Sequence, residues 1–364
     1  MRPSNRLHSA PFACKTSLLA LAAVLSLALV GCGRSSETET AAPPPAPATG
    51  DKAATTGGDF KVALVMSGPT SDNGWNAGAL HALEAVRKEL NLSDENSPYV
   101  ENAKTAGEQE EHLRGFAQKG FNLIFAHGAE YEDMALKMEK DFPKTLFVIS
   151  SGRKVGSNTM PIVYELEDGS YLLGMLAAGM SKSGKIGVVG AQPIPPVVSV
   201  FKAFEAGAKS VKPNITIIPP VYTNSWDDAG KAKSATLALI DQGADIIMQD
   251  VDAAAQGVFN AVQERKAKGV WALGTNSDQN KAAPDVVLAS APIYSDKAFV
   301  AIAKEAKAGN LKPTDKPFGM KDGIIDFILN PQLESKIPAE LKTKLDETKR
   351  KITDGSFTVP KGAS

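Results

Sequence analysis

An excess of either charge is missing from this 364-residue chain: 40 Lys and Arg face 41 Asp and Glu, and the basic residues gather in no stripe. That excludes a nucleic-acid footprint. Cysteine is nearly absent. Two in such a length exclude a disulfide framework, and the four histidines (8, 81, 112 and 127) show no metal-ligand spacing with them. Apolar runs are short, the longest being the 14 residues 17–30, against about 20 for a membrane span. Signatures of chemistry are missing too: there is no Gly-Lys-Ser phosphate loop, no His-x-x-x-His pair and no Ser/His/Asp order. An enzyme, a metal and a cofactor are therefore not expected. The acids Asp227-Asp228 and Asp250/Asp252 are all that a hydrolase or hard-metal reading has to stand on. Aromatics make up only 6% of the chain, with three tryptophans, so the place of each tryptophan carries information.

What is present begins with a processing signal. Arg2, Arg6 and Lys15 precede the apolar run, and residues 1–31 hold no acid, as in the n- and h-regions of a secretory signal. The run ends in Leu29-Val-Gly-Cys32, which resembles a bacterial lipobox, with Cys32 as the lipidated first mature residue. A short transmembrane anchor is the alternative. Cys14 leaves with the signal, and removal of three basic residues takes the formal charge from −1 to −4. Residues 33–58 are mostly Ser, Thr, Ala, Pro and Gly, too poor in large apolar side chains to fold. Residues 1–31 thus read as signal and 32–58 as lipidated Cys and disordered tether, which places the body outside the cytoplasm, anchored to a membrane through lipid.

The body alternates short, doubly apolar runs with segments of helical period. Runs near residues 61, 98, 122, 146 and 162 form one set, and those near 186, 216, 246, 271 and 287 a second. Such strands, separated by helices, predict parallel sheets covered on both faces. Helices are expected at 75–90, up to 140, and at 171–180, 197–211, 227–242, up to 268, 296–308 and 331–353, with a strand or hairpin at 318–329 around Lys321-Asp-Gly323. The strand count divides near residues 181–184 into two lobes, 59–183 plus 293–364 and 184–292. Facing lobes bring the loops at their strand ends around one cleft.

Those loops carry the candidate ligand-binding residues. Ser67-Gly-Pro-Thr-Ser-Asp72-Asn73-Gly74-Trp75-Asn76 opens a helix with a carboxylate, two amides and an indole. Asp72 or Asn73 also suits a helix N-cap. In the other lobe Asn224-Ser-Trp226-Asp-Asp228 opens a helix likewise, with interlobe packing as the plainer role for Trp226. Two tryptophans on opposite lobes predict a sandwich for a flat ring, and such stacking gives about 1–3 kcal/mol per nucleobase. His127 and Tyr131, Asp250 and Asp252, and Asn276 and Asp278 end further strands. Singly each has a structural explanation, Asp252 as a cap, Asp278 in a turn and His127 as a surface or core histidine; together they outline a site.

These residues, with Lys61-Val-Ala-Leu-Val, Phe121-Asn-Leu-Ile-Phe125, Phe142-Pro-Lys-Thr-Leu-Phe-Val148 and Tyr171-Leu-Leu-Gly-Met-Leu-Ala-Ala-Gly179, resemble the basic membrane protein (Bmp) family of substrate-binding lipoproteins over about residues 59–355. The resemblance implies an α/β type I periplasmic binding protein fold: two doubly wound parallel-sheet lobes with a hinge and an interlobe ligand cleft. It implies capture of a purine nucleobase such as adenine, or a purine nucleoside, and delivery to an ABC transporter permease, by a monomer. It makes Asp72, Asn73 and Asn76 polar contacts, and puts Trp75 where many members have Phe and Trp226 where the opposing aromatic stands. After Met248 this chain has Gln249-Asp-Val-Asp-Ala253 where many nucleoside binders have a Gly-rich loop. That departure resembles the branch associated with free bases, and base and nucleoside both stay open. A sugar or another small molecule is the alternative ligand for the same fold.

Overall fold

Every residue of the first strand, β1 (Val62–Met66), is buried, and its side chains divide by parity. Val62, Leu64 and Met66 join one hydrophobic cluster, Ala63 and Val65 another. Such two-sided burial is what a parallel sheet covered by helices requires. The structure, a computed structural model, describes residues 60–72 and 74–361. The signal, Cys32, the tether and Asn73 lie outside the described residues. Among the described residues no helix is long and apolar enough to cross a membrane.

The chain continues through α1 (Trp75–Leu90), β2 (Tyr99–Val100), α2 (Ala106–Gln118), β3 (Leu123–His127), α3 (Glu132–Met138), β4 (Leu146–Ser150) and β5 (Thr159–Tyr164). After α4 (Glu167–Met180) come β6 (Lys185–Gly190), α5 (Pro195–Val211), β7 (Thr216–Ile217), β8 (Val221–Tyr222), α6 (Ala229–Asp241), β9 (Ile246–Asp250), α7 (Ala255–Glu264), β10 (Trp271–Asn276) and β11 (Val287–Pro292). The last elements are α8 (Ser295–Lys307), β12 (Pro317–Phe318), β13 (Ile328–Leu329) and α9 (Ala339–Thr353). One sheet has the order β12-β5-β4-β3-β1-β2, the other β13-β11-β10-β9-β6-β7 with β8 also on β6. All pairings are parallel except β11 with β13. The expected two-lobed α/β architecture is therefore present.

The lobe boundaries differ from the sequence expectation. α4 was placed with the first lobe, yet it packs on α5, α9 and the second sheet. Gly174 and Gly207 let α4 and α5 touch backbone to backbone: a Cβ on Gly174 would strike the Phe204 carbonyl, and one on Gly207 the Tyr171 carbonyl. The chain thus crosses between lobes just after β5, and again between β11 and α8, which packs on α1. The expected hairpin at 318–329 is a third crossing. β12 lies beside β5 in the first sheet and β13 pairs with β11 in the second, so α9 and the tail also belong to the second lobe. One further helix, α2, has no counterpart in the sequence reading. Thr105 and Glu108 start it with a reciprocal capping box.

Candidate functional site

Strand ends of the two sheets meet at the start of α1. The Asp72 carboxylate accepts the backbone N–H groups of Gly74 (3.0 Å), Asn76 (2.7 Å) and Ala77 (2.9 Å), so it caps that helix and fixes where Trp75 emerges. Across the seam the Asp252 carboxylate, from the loop after β9, lies against the start of α1, beside Gly74 and the Trp75 N–H. Beside this junction lies a cavity of about 700 Å³. Asp72, Asp252, Asn276 and Asp278 line it, together with Tyr294 and His81.

Three carboxylates crowd its inner end. Asn276 Nδ2 donates to both Asp250 Oδ1 (3.2 Å) and Asp252 Oδ1 (3.0 Å). Both Asp252 (φ 45°) and Asn276 (φ 65°) lie in the left-handed region, which Asp and Asn enter more readily than other non-glycine residues. Buried amides brace the neighbouring strand ends: Gln249 Nε2 donates to Gln279 Oε1 (2.7 Å), and Gln249 Oε1 accepts the Val251 N–H (3.0 Å). Burial pushes the Asp250 carboxyl up to about 6, against the pull of Asn276. Burial also pushes Asp252 well above the usual carboxylate range, and the nearby charges of Asp250 and Asp72 add to it. Both shifts favour the neutral carboxyl, the form that can donate as well as accept.

Trp75 is half-buried, its ring stacked on His127 at 4.0 Å between centroids and 25° between planes, with Tyr164 edge-on at 5.9 Å. His127 is fully buried at the end of β3. Its Nε2 lies 3.0 Å from the Trp75 carbonyl and its Nδ1 2.8 Å from Ser150 Oγ. Burial pushes the imidazole down to about 3, so it is neutral. Because a carbonyl only accepts, Nε2 holds the proton and Nδ1 accepts from the Ser150 hydroxyl. Both ring nitrogens are thereby spent, and His127 stands behind the indole, not at the cavity as expected.

The other expected residues divide. Asn76 is buried, its Nδ2 donating to Asp72 Oδ2 (2.8 Å) while its Oδ1 has no partner, an acceptor left open beside the Trp75 turn. Asp278 is exposed at the cavity rim and accepts the Asn280 N–H, the turn role foreseen for it. Trp226 is half-buried against second-lobe clusters, its carbonyl accepting the Ala254 N–H; among the described residues no ring pair joins it to Trp75. Tyr131 corrects the reading: it is fully buried in the first lobe's outer cluster with Phe121 and Ile149, its hydroxyl unpartnered, because a short 3-10 turn after Gly128 swings it inward. Tyr294 was not foreseen. It follows β11 as the other candidates follow their strands, so strand-end position was the signal that could have found it.

Two parallel-sheet lobes, three crossings and strand-end loops meeting at one seam define the class of two-lobed periplasmic binding proteins. Comparison with known proteins narrows the class. Residues 60–361 match the model of the Bmp family, described as ABC transporter substrate-binding protein PnrA-like. The chain is 33% identical over 312 residues to a purine-binding protein of Brucella abortus, covering 83% of this chain and 84% of that one. It is 29% identical over 319 residues to the ABC transporter nucleoside-binding protein BmpA of Lactococcus lactis, covering 83% and 89%. A solute-binding protein of an ABC transporter system from Aeropyrum pernix shares the fold with a TM-score of 0.73 at 19% identity, covering 83% of this chain and 94% of that one. This chain belongs to the Bmp family of ABC transporter substrate-binding proteins.

Proposed function

We propose that the protein captures a purine, either a nucleobase such as adenine or a purine nucleoside, between its lobes and hands it to an ABC permease without covalent chemistry. The observation that carries this reading is the seam itself, where the turn that presents an indole from one lobe lies against an acid of the other beside a cavity of about 700 Å³. Flat heteroaromatic rings gain from stacking on Trp75, with Trp226 as the opposing ring on the second lobe. Their edges carry both donors and acceptors. The open Asn76 Oδ1 and the Asp250–Asp252–Asn276 set offer acceptors for an amine or ring N–H. Ligand bonded to both lobes favours the closed form by its differential affinity, which gives a permease a signal to read. The names of the Brucella and Lactococcus relatives support a purine or nucleoside.

The same reading makes Cys32 the lipid attachment site and residues 33–58 the tether that holds the body at the outer face of a membrane. Mass spectrometry of small molecules released by denaturing the purified protein tests the ligand class. A purine absorbing near 260 nm is expected, and a sugar in its place would contradict the reading.

A further inference from the structure

His127 makes contacts that capture of a ligand does not explain, two of them directed at Trp75. Its Nε2–H holds the Trp75 carbonyl, and its ring covers one face of the indole. Its Nδ1 accepts from Ser150, at the end of β4. The Tyr164 hydroxyl donates to Ser295 Oγ at 3.2 Å. Tyr164 is the last residue of β5, directly before the first crossing, and Ser295 is the first residue of α8, directly after the second. One run of bonds, Trp75–His127–Ser150, ends on the Trp75 carbonyl, and a second, Tyr164–Ser295, bridges the two crossings. Tyr164 places its ring edge against the indole, so aromatic packing links the second run to Trp75.

We propose that His127 is a positioning residue that presets Trp75 as the ligand's stacking platform. The proposal rests on the purine reading for its ligand but not for its geometry. An indole held on one face by imidazole, at one edge by Tyr164 and through its residue's carbonyl by His127 keeps one orientation before ligand arrives. A platform fixed in advance costs the ligand less ordering entropy on binding. The buried, neutral imidazole holds the same tautomer across ordinary pH, so the hold on Trp75 does not titrate.

Calorimetry of the full chain with adenine and with adenosine tests this with three variants. His127→Leu keeps the volume and removes the bonds; affinity falls by about tenfold or more. His127→Gln places an amide N–H where Nε2–H stood; affinity stays within about threefold of the parent. Ser150→Ala, the milder change should His127→Leu fail to fold, lowers affinity by about two- to fivefold through loss of one neutral hydrogen bond. Parental affinity in His127→Leu or Ser150→Ala, or a Gln variant as weak as the Leu variant, would overturn the proposal. A parent that binds neither purine sinks the purine reading and leaves a ligand-free arm. In a Trp226→Phe/Trp271→Phe background only Trp75 emits. His127→Leu then shifts its emission to the red and opens it to acrylamide, and His127→Gln does neither. Unchanged emission in the Leu variant would overturn the positioning role by itself.

Discussion

At the residue scale, Asp250 and His127 carry opposite pH signatures, and the signs follow from linkage. A carboxyl held at about 6 when folded, against 3.8 ordinarily, gives the folded state an extra proton between about pH 4 and 6. Acidification through that window stabilises the ligand-free protein, and the same holds for Asp168, also pushed by burial to about 6. His127 does the reverse. Its imidazole, at about 3 when folded against 6.5 ordinarily, takes up its proton in the unfolded chain first, so stability is lost as pH falls from about 6.5 towards 3. Melting temperatures between pH 7.5 and 4 separate the two: Asp250→Asn steepens the acid-side fall, and His127→Gln flattens it or turns it into a rise. Profiles parallel to the parent's in both variants would refute these assignments. Residue roles were only partly legible in the sequence. Asp72 and Asp252 stood out by position, whereas the inward turn of Tyr131 and the backing role of His127 depend on how a 3-10 turn and a neighbouring strand end aim side chains.

At the element scale, α1 depends on Asp72, whose carboxylate accepts the N–H of the N-cap Gly74 and two N–H groups of the first turn. Asp72→Ala is expected to cost about 0.5–2 kcal/mol, towards the upper end for a buried cap, read from denaturant unfolding. The α4–α5 contact depends on glycine. Gly207→Ala must push the helices apart, so a loss of about 1–3 kcal/mol or more is expected, with a lower melting temperature as the check. Strands such as β1 and β9 were readable because both faces are apolar: Ile246 and Met248 face one cluster and Ile247 the other. α2 was not, since only Gln109, Leu113 and Ala117 of its thirteen residues are buried and no apolar stripe marks it. Its capping box was the available signal.

At the scale of the whole molecule, two sheets are joined by three crossings, and Asp252 of one lobe lies against the start of α1 in the other. The number of lobes and the grouping of their main strands followed from alternating apolar runs; the order of strands within each sheet did not. Where the chain changes lobes did not, because α4 is apolar on nearly every side and suits either sheet by pattern alone. Only the backbone contact at Gly174 and Gly207 assigns it. Closure around a flat ring is the central claim, and calorimetry with adenine and adenosine, on the parent protein and on Trp75→Ala, addresses it most directly. One-to-one binding of at least one purine, weakened about tenfold or more in Trp75→Ala, is the predicted result. Absence of heat with both purines, or equal affinity in Trp75→Ala, would contradict it.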